Sequence, residues 1–85
     1  MARVKKVSEK KIECVAKGKQ FEIVLKDPND MKRIIETVEE ELDHWEYPDE
    51  GDTLHPNNPN FYNREAADVI ADVLLGGGYD VEIYD

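Results

Sequence analysis

The sequence predicts a small α+β domain: an antiparallel sheet, made of an N-terminal β-hairpin or meander plus a C-terminal strand, with two helices packed on one face, in the order β-β-(β)-α-loop-α-β. Three observations carry this. Apolar side chains alternate every second residue over 12–25 and again over 79–83. They recur at helical spacing over 31–45 and 66–74. Between the two helical stripes lies "YPDEGDTLHPNNPNFY", which has neither period. A chain of 85 residues is one domain, residues 1–85.

Each element follows from its residues. In "KIECVAKGKQFEIVL", Ile12, Cys14 and Ala16 alternate with polar positions, as do Phe21, Ile23 and Leu25 across "KGK". Gly18 supplies the positive φ that a tight hairpin turn needs. Upstream, "RVKKV" is a further short strand, or an extension of the next one through a bulge. "KDPNDMKRIIETVEEELDHWEY" predicts a helix from about 28 to 47. Asp27 is its N-cap, Pro28 its first position, and Asp30 completes an approximate capping box. Met31, Ile34, Ile35, Val38, Leu42 and Trp45 form its apolar stripe, and Pro48 ends it. "NREAADVIADVLLGGG" predicts the second helix, capped by Asn63, with Ala66, Ala67, Ile70, Val73 and Leu74 inward and Gly76 as the C′ residue. "YDVEIYD" closes the chain as a strand with Tyr79, Val81 and Ile83 on one face. No internal repeat is read in the sequence.

The formal net charge of −9 is unevenly spread. Residues 1–26 hold eight Lys/Arg against three Asp/Glu, a balance of +5. Residues 27–85 hold three Lys/Arg against seventeen Asp/Glu, a balance of −14. An acidic molecule of this kind is not expected to bind nucleic acid directly. The basic start lacks a following apolar segment, so no signal peptide is read there, and no membrane span is expected. With one cysteine no intramolecular disulfide is available, and a cytoplasmic protein is expected.

No residue pattern points to an enzyme. Cys14 shares a strand face with Ile12 and Ala16 and is expected in the core. His44 is expected on the surface of the first helix. His55 lies near Asp49, Glu50 and Asp52, but "DEGDTLHPNN" matches no calcium-loop or two-histidine pattern, so no metal or cofactor is expected. "GGG" precedes a strand, so it lacks the helix N-terminus that holds phosphate.

The strongest functional signal is the order of charge along the first helix. Lys32 and Arg33 come first, and Glu36, Glu39, Glu40, Glu41, Asp43 and Glu46 follow. The helix macrodipole favours the reverse order, and Glu36–Glu40 and Glu39–Asp43 add like-charge pairs. On a helical wheel Glu36, Glu39, Glu40, Asp43 and Glu46 point away from the apolar stripe. Either the basic front strands neutralise this end, or the acids merely solubilise it, or the face binds a basic protein surface. In the last case Asp49, Glu50 and Asp52 extend the face, and Asp68 and Asp72 do so if the helices lie side by side.

In size and charge this profile resembles the DNA-mimicking inhibitor proteins of phages, including some anti-CRISPR and anti-restriction proteins. That resemblance implies a small regulator or inhibitor whose carboxylates occupy a Lys/Arg-lined groove in place of phosphates. The basic front departs from a pure mimic and is instead a candidate surface for homo-oligomers through the N-terminal strands. A second candidate site is a ligand pocket at the long loop, formed by Trp45, Tyr47, His55, Asn58, Phe61 and Tyr62. The competing reading is that these aromatics staple the loop to the core. A structural subunit of a larger assembly would carry the same features. The loop itself is expected to be an ordered Ω-type excursion, because three prolines and several asparagines favour defined turns.

Overall fold

The structure, a computed structural model, describes residues 2–61 and 64–85. Four strands, β1 (Arg3–Ser8), β2 (Lys11–Ala16), β3 (Lys19–Leu25) and β4 (Val81–Tyr84), form one antiparallel sheet in the order β1-β2-β3-β4. "RVKKV" is thus a strand of its own, with an irregularity in its pairing between Lys6 and Ser8. The β2–β3 turn is the two-residue loop Lys17–Gly18, with φ values of 50° and 77°. A two-residue hairpin whose central residues both have positive φ matches the right-handed strand twist, and glycine at the second position makes it accessible.

Opposed residues of an antiparallel pair share a face. Register therefore places Val4, Cys14 and Phe21 in one inward row, Ile12, Ile23 and Ile83 in the next, and Leu25 with Val81 beyond. Cys14, Phe21, Ile12, Ile23, Leu25 and Val81 are buried, and Val4 and Ile83 pack against them. The opposite face carries mixed charge: Lys5, Glu13, Glu22 and Tyr84 stand in register across it. Lys11 bridges Glu22 there at 3.1 Å.

Both helices cover the inward face. A single 3-10 turn, Pro28–Asp30, leads into α1 (Met31–Glu46). Asp27 caps that turn, its carboxylate accepting the Asn29 N–H at 2.9 Å. The expected capping box does not close, because Asp30 makes no side-chain cap bond. Proline at the first position tightens the start into 3-10 geometry, which moves the α-helix start to Met31. Met31, Ile34, Val38 and Leu42 are buried, with Ile35 and Trp45 packed beside them. Each fully buried Ile or Leu contributes about 1.5–3 kcal/mol.

The second helix, α2 (Ala66–Gly76), buries Ala66, Val69, Ile70 and Leu74. Val69, absent from the expected stripe, is inside, and Val73 is only half-buried. The expected cap, Asn63, lies outside the described residues. The C′ residue is Gly78, not Gly76: its φ is +85°. The Gly78 N–H donates to Leu75 O at 3.1 Å and the Tyr79 N–H to Leu74 O at 3.0 Å. These two bonds make a Schellman motif and tuck Tyr79 back onto the core. Helix continues through Gly76, with Gly77 as a right-handed cap, and the turn waits for the residue at positive φ.

The long connection is neither slack nor a simple Ω-loop. Four turns follow one another, each starting on the residue that ends the last. N–H groups of Asp52, His55, Asn58 and Phe61 donate to the carbonyls of Asp49, Asp52, His55 and Asn58 at 2.9–3.0 Å. Side chains repeat the same spacing. Asp52 Oδ1 accepts from Leu54 N–H at 3.0 Å, His55 Nδ1 from Asn57 at 3.1 Å and Asn58 Oδ1 from Asn60 at 2.8 Å. This three-residue repeat is an internal regularity that reading for helix and strand periods passed over. Its chemistry is that of Asx-type turns, with Pro56 and Pro59 each following the first residue of a turn.

Candidate functional site

The acidic side of α1 is built by subtraction. The stripe from Met31 to Trp45 faces the sheet, so Glu36, Glu39, Glu40 and Asp43 are left exposed. Among the described residues no ion pair joins Glu36, Glu39, Glu40, Glu41 or Asp43 to a cation. No direct ion pair from the basic front thus reaches these five acids among the described residues. Three lysines of that front pair with other acids: Lys11 with Glu22, Lys19 with Glu65 at 3.0 Å, and Lys26 with Asp80 at 3.6 Å. Lys17 sits 4.7 Å above the centroid of the Trp45 ring.

Glu46 departs from the expected outward face. It is half-buried, with one carboxylate oxygen shielded from solvent, at the flank of the helix. On the helical wheel it lies close to Leu42, one turn earlier, at the edge of the apolar stripe. Asp49 and Glu50 are exposed at the start of the turn ribbon, directly after the helix. Asp68 is exposed, whereas Asp72 is held by the Arg64 guanidinium and adds no free charge.

Asp52 is not a free member of the face. Its carboxylate meets Nε2 of His44, in the last turn of α1. The hydrogen bond that His44 donates to the Asp52 carboxylate holds the His44 pKa above its ordinary value, with the charges of Asp52, Glu41 and Asp49 adding to it. The Leu54 N–H, and then His44, hold Asp52 below the usual carboxylate range. A cation at the helix C-terminus also satisfies the macrodipole. Sequence reading left His44 as an isolated surface residue. A histidine in the final turn, followed by an acid-rich turn segment, is the signal that was present.

Between α1, the ribbon and α2 runs a cavity of about 530 Å³, with Glu40, Asp43, His44 and Asp52 on its walls and Leu54 and Val73 among its apolar lining. A second groove, of about 200 Å³, lies on the other flank, where Glu39, Asp43 and Glu46 face Ala2, Val4 and Tyr47. The exposed carboxylates of α1 thus form a ridge between two partly apolar depressions.

The residues expected to form one ligand pocket are separated. Trp45 and Phe61 share a cavity of about 320 Å³. Tyr47, 69% exposed, turns to the other flank beside Ala2 and Val4. His55 and Asn58 are absorbed into the turn ribbon. Tyr62 lies outside the described residues. Sequence reading missed Lys17 and Arg64, which join Trp45 from distant segments.

Cys14 is in the core as expected, and burial pushes its thiol up to about 12, which rules it out as a thiolate nucleophile near neutral pH. No group of three or more His, Cys, Asp or Glu among the described residues is arranged to hold a metal ion. No helix among them is long and apolar enough to cross a membrane. No family model, curated protein or solved structure matches the chain.

Proposed function

We propose that the protein is a small acidic binding module, a regulator or inhibitor that docks on a basic protein surface through the α1 ridge and the adjacent start of the turn ribbon. The observation that carries this reading is the set of exposed, unpaired carboxylates at Glu36, Glu39, Glu40 and Asp43. They run toward the helix end that disfavours them. An arrangement that opposes the local field, with no ion pair to these four acids among the described residues, supports an external partner. Carboxylates on such a ridge suit a Lys/Arg-lined groove, and a nucleic-acid-binding partner is the specific form of the proposal.

The test is capture from a lysate of the native host by the wild type and by the Glu39→Lys, Glu40→Lys, Asp43→Lys triple variant in parallel, eluted in steps of salt. The expected result is a basic protein held by the wild type, lost with the variant, released by moderate salt and displaced by duplex DNA. Equal capture by both baits, or retention independent of salt, overturns the reading. Retention against DNA with loss in the variant leaves a basic partner but removes the nucleic-acid form.

A further inference from the structure

We infer that the cavity at Trp45 is a binding site, separate from the acidic ridge, for a small flat apolar molecule carrying one anionic group. Trp45 leaves the last turn of α1 and is gripped from two distant segments. Its Nε1–H donates to the Arg64 carbonyl at 2.9 Å, and the Lys17 ammonium lies over its ring. Around it the cavity is lined by Pro48, Leu54, Pro56 and Phe61, which supply ring faces and an aliphatic side chain. Phe61 is 41% exposed, which leaves part of its ring surface open to a ligand. A volume of about 320 Å³ stands at the small end of ligand sites, enough for one or two fused rings.

Charge selects the ligand's polar end. Lys17 and Arg64 both line this cavity, against one carboxylate, Glu46. The Arg64 guanidinium is held by Asp72, so Lys17 is the cation here without a carboxylate partner among the described residues. Arg64 gives one terminal nitrogen to Asp72 and Asp68 O, which leaves further N–H donors of its five. The Lys17 ammonium lies 4.7 Å from the Trp45 ring centroid. An anionic group at the Lys17 end gains a charge-assisted bond. Apolar surface supplies the remaining affinity by leaving water.

The chain has one tryptophan, so its fluorescence reports this cavity directly. The experiment titrates the intact protein with naphthalene-2-carboxylate and, separately, with neutral 2-naphthalenemethanol, and maps amide shifts by NMR. Expected is a saturable Trp45 response to the carboxylate, binding of the alcohol weaker by about tenfold or more, and shifts centred on Trp45, Leu54 and Phe61. Lys17→Asn, which tolerates the positive φ, should bring the two affinities together. No saturable response, equal affinities in the wild type, or shifts centred elsewhere overturns the inference. The triple lysine variant of α1 should bind the carboxylate at least as well as wild type; loss of binding there also counts against a separate site.

Discussion

The imidazole Nε2 of His44 meets the carboxylate of Asp52 across the junction between the end of α1 and the turn ribbon. The same carboxylate accepts the Leu54 N–H, so one side chain both starts a turn and ties the ribbon to the helix. This contact fixes where the ribbon leaves α1, and with it the positions of Asp49 and Glu50.

Stability should therefore depend on pH through this pair. His44 is raised in the fold, so its contribution is complete below the ordinary histidine value of about 6.5 and is lost as pH climbs through the raised value. Asp52 is lowered, so its contribution is present above about 3.9 and is lost as pH falls through the lowered value. The pair stabilises most between about pH 4 and 6.5. His44 is 43% exposed at the side chain, so the effect is at most about 1 kcal/mol. Urea midpoints across pH should show it. Asp52→Asn, which keeps an oxygen for Leu54, should flatten the alkaline decline and lower the His44 titration measured by NMR. An unchanged His44 titration in that variant would sink the assignment.

The acidic ridge should be carried at a cost to the fold. Reversing Glu39, Glu40 and Asp43 to lysine turns the Glu36–Glu40 pair into an opposite-charge one, exchanges the Glu39–Asp43 pair for a like pair of cations, and places cations toward the helix C-terminus. Urea unfolding at low salt should show a gain of about 1–2 kcal/mol. The gain should shrink toward zero near ~1 M salt. A triple variant less stable than wild type at low salt would mean that the acids have favourable contacts in the fold.

At the hairpin, Gly18→Ala should cost about 1–2 kcal/mol. A Cβ there meets nothing within 4 Å, so the penalty is purely that of φ +77° on an L-residue. Lys17→Asn serves as a comparison, because asparagine tolerates positive φ better while giving up the contact with Trp45. Equal melting temperatures for Gly18→Ala and wild type would contradict the turn geometry.

Cys14 should be silent to thiol reagents in the native state. It has no exposed surface, and its thiol is pushed up to about 12. Labelling should appear only in denaturant, at a rate that follows unfolding. Rapid labelling in native buffer would place the residue outside the core.

Much of this architecture was legible in order along the chain. Two-residue alternation identified β2 and β3 down to the inward side chains, and the stripe from Met31 to Leu42 identified the buried face of α1. The acid order of α1 was equally plain, since it is a property of adjacent residues. Boundaries were less so. Pro28 tightened the first turn into 3-10 geometry, and three successive glycines left open which one would take the positive φ. The turn ribbon escaped because its period of three belongs to neither regular element, although Asp49, Asp52, His55 and Asn58 mark it.

The sequence by itself determined the elements, the core stripes and the imbalance of charge, because each arises from neighbours a few residues apart. Only the tertiary structure decided which charges remain free. His44 takes Asp52 out of the acidic face, Arg64 takes Asp72, and Lys11, Lys19 and Lys26 settle on Glu22, Glu65 and Asp80. It also split the expected aromatic pocket, sending Tyr47 to one flank and gathering Trp45, Phe61, Lys17 and Arg64 on the other. The physical reason is that a periodic pattern reports which side of an element is buried. The partner of each exposed side chain depends instead on where the end of one element is carried relative to another, as Trp45 and Arg64 show across 19 residues.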